Sequence, residues 1–221
     1  MLSKNPSPLS ALEQASRDLV PALRARLAAF CAAPVLHARF LNTLSLMEHI
    51  GSRKIMATQS GATLDNDTLK HLAEEARHAF FFKRAAEKLA HRALDYSATA
   101  TLAGPAARAY MGRLDAFIAG ALPRAAKGLP YLYMSLIVEL RAIWLYRIYR
   151  DVLDEHRAGI ALKSVLAEEE LHLSAMLARI DAMDAEAETC IAAFAGFEDR
   201  QFRATWRAIE AACAPAREAA E

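Results

Sequence analysis

Two short stretches of this chain carry side chains able to bind metal together, Glu74-Glu75-Ala76-Arg77-His78 and Glu168-Glu169-Glu170-Leu171-His172. Each contains a Glu-x-x-His pair, Glu75 with His78 and Glu169 with His172. Residues three apart lie on one face of a helix, so a carboxylate and an imidazole at this spacing can grip one ion from the same side. About 30 residues upstream of each pair stands another glutamate, Glu48 and Glu139. Both sit on stripes that are otherwise largely apolar, with Leu41, Leu44 and Ile55 around the first and Leu132, Ile143 and Tyr146 around the second. An isolated carboxylate in a helical core costs several kcal/mol unless it is paired or coordinates a metal. Two divalent ions carry four positive charges, which four ionised glutamates balance.

These six side chains must be positioned by four helices. Pro34 opens a long apolar-periodic segment that runs to about Thr58 and stops at Gln59-Ser60-Gly61. Asp65 or Asp67 can cap a second helix, expected to run to about Leu94. Residues 95–128 form a long connection enclosing one helical piece near Ala106 to Leu122. Pro130 suits the first turn of a third helix to about Val152, and the fourth runs to about Ala185. In a helical hairpin, two residues share a level when they are equally distant from the turn. For Glu48 and Glu75 the midpoint falls between Gly61 and Ala62, where a turn is already expected. Asp154 to Gly159 is the expected turn here; for Glu139 and Glu169 the midpoint falls at Asp154, which requires a tight turn directly after Val152, since a turn at Gly159 would set the two carboxylates many ångströms apart along the axis. Two hairpins joined by one long crossover is the ferritin-like version of a four-helix bundle.

The rest of the chain agrees with an all-α protein. Its 221 residues are 54% hydrophobic with only eight glycines and eight prolines, enough to bury a full core as one compact domain. The expected parts are an N-terminal accessory helix over 1–33, broken or kinked at Pro21, the di-metal bundle over 34–186 and a C-terminal accessory helix over 187–221. Lys and Arg number 27 against 26 Asp and Glu, so no charge footprint invites a nucleic acid. Cys31, Cys190 and Cys213 form no Cys-x-x-Cys pair and suit reduced thiols in the cytoplasm. The N-terminus lacks the apolar region of an export signal. The most apolar window, Tyr131 to Tyr149, contains Glu139, Arg141 and Arg147, which suits a buried helix and not a membrane span.

The order Glu, Glu-x-x-His, Glu, Glu-x-x-His resembles that of the ferritin-like di-iron carboxylate superfamily, over about Val35 to Ala185. The resemblance implies two Fe ions, with Mn or a mixed Fe/Mn pair also suiting mixed oxygen and nitrogen ligation. It implies Glu75 and Glu169 as bridging ligands, Glu48 and Glu139 as terminal ones, and His78 and His172 as one nitrogen ligand per ion. The second histidine is similar to bacterioferritin, rubrerythrin-like peroxidases and several di-iron oxygenases, whereas storage ferritins usually lack it. The implied activity is reduction of dioxygen or peroxide coupled to oxidation of an apolar small organic substrate, with electrons from an external donor. A ferroxidase or peroxidase without organic substrate, and a metal-free helical interaction protein, are the alternatives. A homodimer is the expected assembly.

Several neighbours share the ligand faces. His71, four residues before Glu75, is either a further ligand or a partner behind the ligands. His49 points about 100° away from Glu48 and reads as a surface or inter-helix residue. Gly51 and Ser52 leave room either for dioxygen or substrate, or for close helix packing. Tyr146 is either an electron relay or a core tyrosine, and Phe82 either walls a substrate pocket or fills the core.

Overall fold

The computed structural model describes residues 6–59, 64–123 and 128–213. Among them there is no strand, and eight α-helices follow one another: α1 (Pro8–Ala15), α2 (Val20–Cys31), α3 (Pro34–Thr58), α4 (Asn66–Ala90), α5 (Gly104–Ala121), α6 (Leu129–Glu155), α7 (Lys163–Met183) and α8 (Ala187–Ala211). Local chemistry sets many of their ends. The Asp65 carboxylate accepts from the Thr68 N–H at 2.7 Å and caps α4. Pro34, Pro105 and Pro130 stand in the first turns of α3, α5 and α6, where a missing N–H leaves nothing unpaired. The N-terminal segment breaks at Ser16 into two helices joined by a 3₁₀ turn at Arg17–Leu19, and Pro21 lies in the first turn of α2.

α3 pairs with α4 and α6 with α7, and the two pairs meet through α3 against α6 and α4 against α7. The crossover between the pairs is tied down by α3. The Asn42 amide donates to the carbonyls of Asp95 and Ala100 at 2.7 and 2.8 Å, and the Leu102 N–H donates to Thr43 Oγ1 at 2.8 Å. α5 then packs on α3, α6 and α8, while α1 and α2 pack on α6. Buried side chains from all these helices, from Leu12 and Phe30 to Phe202 and Trp206, join one hydrophobic cluster. The terminal helices therefore share the core of the central four.

Two boundaries differ from the sequence expectation. α4 ends at Ala90 instead of near Leu94, because His91 takes a left-handed backbone (φ 51) that ends the helix. α6 runs on to Glu155, and the tight turn at Asp154 is replaced by residues 156–162, with Arg157 at φ 50 and Gly159 at φ 69. Glu139 thus lies 16 residues before the end of α6 and Glu169 six after the start of α7. At about 1.5 Å per residue this is a mismatch of about 15 Å if the two helix ends were level. A seven-residue connection can span up to about 23 Å, so it can descend along α6 and restore the level. Leu162 at its end is fully buried. In the first hairpin Glu48 is ten residues before the end of α3 and Glu75 nine after the start of α4, as the level argument expects. Its turn at Gly61 and Ala62 lies outside the described residues.

Among the described residues no single helix is long and apolar enough to cross a membrane. In the most apolar window, Tyr131 to Tyr149, Glu139 and Arg141 are buried within the protein, whereas Arg147 is partly exposed and pairs with Glu13 and Glu170.

Candidate metal centre

All six expected ligands converge, and His71 joins them. Their ligand atoms fall into two groups, each within 4.8 Å: Glu48, Glu75, His78 and Glu169, and His71, Glu75, Glu139 and His172. Glu75 belongs to both. Glu169 also reaches across, with Oε1 3.0 Å from His78 Nδ1 and Oε2 3.1 Å from His172 Nδ1. All seven residues are between 1% and 8% exposed. Helix geometry accounts for this, because α4 contributes His71, Glu75 and His78 from one face, α7 contributes Glu169 and His172, and α3 and α6 contribute one glutamate each.

The donor set fits a pair of metal ions. His78 Nδ1 and Glu169 Oε1 are buried and face each other at 3.0 Å as an ion pair without hydrogen-bond geometry, and neither has a hydrogen-bond partner among the described residues. Unpaired buried polar atoms are rare in proteins. Two ligands bound to one ion at about 2.1 Å and at right angles would stand about 3.0 Å apart, the separation seen.

Behind the ligands lies a second set of contacts that sequence reasoning passed over. The outer nitrogen of His78 is 2.7 Å from Glu168 Oε2, and that of His172 is 2.7 Å from Glu74 Oε2. Each Glu-x-x-His histidine is thus held by the glutamate that precedes the other motif, so α4 and α7 brace each other. Carboxylates behind metal-binding imidazoles fix the tautomer and the ring orientation. The signal was present in both motifs as a doubled glutamate, Glu74-Glu75 and Glu168-Glu169. Arg77 joins the outer pair, donating to Glu168 at 2.5 Å. His71 is held by a different group, with Nδ1 2.8 Å from the Tyr131 hydroxyl.

The electrostatics follow from burying so many acids together. Burial pushes the Glu48 carboxyl well above the usual range, and the neighbouring Glu75 and Glu169 add to it. Burial and Glu139 raise Glu169 too. Glu139 is lowered, because His172 and His71 outweigh its burial. Burial works against a charge on the imidazoles, yet the surrounding carboxylates dominate, raising His71 to about 12 and His78 and His172 each to about 10. Without metal, protonated histidines offset the acids; metal would take over that role.

Tyr146 is buried and donates a hydrogen bond to Glu48, while Phe82 packs on its ring at 5.3 Å between centroids. Gly51 gives Glu75 its place, since a Cβ there would lie 2.8 Å from Glu75 Oε2. His49 stacks on Tyr96 at 5.6 Å, away from the ligands.

An apolar cavity of about 70 Å³ ends on Glu48, Glu75 and Glu139. Its walls are Leu44 and Met47 of α3, Met111 of α5, Leu145 of α6, and Phe202 and Trp206 of α8. A smaller space of about 40 Å³ lies beside it against His71, Tyr131 and Lys54, and shares Gly51, Met111 and Val138 with the first. The C-terminal helix, expected to be accessory, therefore forms one wall of the cavity at the centre.

Compared with protein-family models, curated proteins and solved structures, the chain matches none.

Proposed function

We propose that this chain is a di-iron carboxylate oxidoreductase, built as a ferritin-like four-helix bundle of α3, α4, α6 and α7, that uses dioxygen or peroxide to oxidise a small apolar organic substrate. The observation that carries this reading is the apolar cavity ending on Glu48, Glu75 and Glu139, three carboxylates of the two-group cluster. When bound, the iron pair supplies two-electron redox chemistry toward dioxygen. For a hydroxylation the balance is RH + O₂ + 2 e⁻ + 2 H⁺ → ROH + H₂O, the two electrons coming from an external reductant. The protein's part is positioning and exclusion of water. Glu75 and Glu169 span the two positions, Glu48 is held by the Tyr146 hydroxyl, and Leu44, Met111 and Leu145 keep the approach dry.

Ferroxidase or peroxidase activity without organic substrate is the second reading. It is favoured by the size of the cavity, since about 70 Å³ suits dioxygen or a few-carbon fragment, well below the roughly 300 Å³ at which ordinary ligand pockets begin.

The test is anaerobic loading of the metal-stripped protein with Fe(II), elemental analysis, and absorption spectra before and after dioxygen. Two Fe per chain and a new near-ultraviolet band of the ferric pair are expected, both lost in Glu169→Ala. A chain that retains less than one Fe removes the metal-centre reading altogether. Sustained oxidation of added Fe(II), with no organic product under any reductant, would select the second reading.

A further inference from the structure

Resting on the di-metal reading above, we propose that the two metal positions are unequal: His71 is a seventh ligand, and its position, with two imidazoles, takes a divalent first-row ion first. One group offers His71 Nε2, His172 Nδ1 and the carboxylates of Glu75 and Glu139; the other offers His78 Nδ1 and the carboxylates of Glu48, Glu75 and Glu169. With Glu169 reaching both positions, the donors are two nitrogens with three carboxylates against one nitrogen with three, so the second imidazole is what distinguishes them. Imidazole suits ions such as Fe(II), Co(II) and Zn(II), whereas carboxylate-rich sites suit Mn(II) and Mg(II). The asymmetry therefore favours one side for the former ions and narrows the difference for Mn(II).

Three features of His71 argue for a ligand over a bystander. Its Nε2 lies 3.4 Å from Glu75 Oε1 and 3.3 Å from Glu139 Oε1, which belong to the shared and the terminal carboxylate of one group. Its ring centroid is 4.4 Å from that of His172, in the same group. Its Nδ1 is engaged by the buried Tyr131 hydroxyl at 2.8 Å, which turns Nε2 inward as Glu168 and Glu74 turn the inner nitrogens of the other two histidines. A histidine present only as a cation to offset the acids would need no such anchor on its far side.

The experiment is an anaerobic titration of the metal-stripped full chain with Co(II), followed by visible absorption and calorimetry, for the wild type, His71→Ala, His78→Ala and Tyr131→Phe. The wild type is expected to bind two ions in resolved steps. His71→Ala should weaken the first step at least tenfold and change its spectrum, while His78→Ala weakens the second and leaves the first. Tyr131→Phe, which keeps the imidazole but frees its outer nitrogen, should weaken the first step by about tenfold, the lower end for groups behind a ligand. It also stands in if His71→Ala loses its helical circular dichroism. Two equal steps in the wild type overturn the proposal, as does a His71→Ala or Tyr131→Phe titration that matches the wild type or is tighter. A wild type that binds no Co(II) brings down the di-metal reading itself, a result distinct from both.

Discussion

At the scale of single residues, the histidines of this protein divide by what lies behind them. His71, His78 and His172 each have one nitrogen toward the carboxylates and the other against a fixed partner, and their neighbours favour the proton. His37 on α3 is the opposite case, buried against Tyr149 with no acid paired to it among the described residues, and burial lowers it from 6.5 to about 4. Between those two values the unfolded chain holds a proton on this residue that the folded chain does not. The contribution is therefore fully present above pH 6.5 and is lost as pH falls toward 4, by about 3 kcal/mol in all. In His37→Gln, which keeps a hydrogen-bonding side chain without a titration, urea unfolding at pH 7, 6 and 5 should show a loss of stability smaller than the wild type's, by about 2 kcal/mol between pH 7 and pH 5. Parallel profiles for the two proteins would contradict it.

Between elements, the decisive contact is the close approach of α3 to α4. Gly51 presents no side chain where Glu75 Oε2 passes, and Glu75 is the carboxylate shared by both groups that could hold a metal ion. Gly51→Ala should therefore act in two opposite directions. The apoprotein should gain up to about 1 kcal/mol, because alanine is the better residue in a helix interior and an unliganded carboxylate can shift aside. Metal affinity should fall at both positions, by about tenfold or more, because the shared ligand is displaced. Thermal unfolding of the apoprotein and a metal titration of the same sample check both signs, and a loss of stability with unchanged affinity would mean that the glycine serves packing alone. The bracing of α4 and α7 belongs to this scale too, since His78 with Glu168 and His172 with Glu74 tie the two motif helices from the outside while metal would tie them from within.

For the molecule as a whole, the outer helices are joined to the centre by a buried ionic cluster. Arg141, two residues beyond Glu139 on α6, makes a two-pronged contact with the fully buried Glu198 of α8, which also accepts from the Tyr110 hydroxyl of α5 at 2.7 Å. Ser16, next to α1, accepts from the same guanidinium at 3.0 Å. Removing one partner of a buried ion pair leaves an uncompensated charge, so Arg141→Met should cost about 3–5 kcal/mol in urea unfolding. Adding Glu198→Gln should recover most of that loss, and an equally unstable double variant would show that packing of the arginine stem is what matters. Since α8 also walls the cavity, this cluster holds the approach to the centre in place. Much of this protein was legible in the sequence because it is local. Periodicity of about 3.6 residues places Glu75 with His78 and Glu169 with His172 on common faces wherever the helices go, and Asp65 and the prolines mark helix starts through their own backbone chemistry. Charge balance among Glu48, Glu75, Glu139 and Glu169 was likewise a matter of counting. What the tertiary structure alone decided depends on groups far apart in the chain. The connection over 156–162 leaves His172 of α7 beside Glu139 of α6, Tyr131 turns His71 inward, Glu74 and Glu168 find the opposite histidines, and α8 closes a cavity from over 60 residues beyond Glu139. No local pattern encodes these, because each is a distance between two helices whose separation is set by everything packed between them.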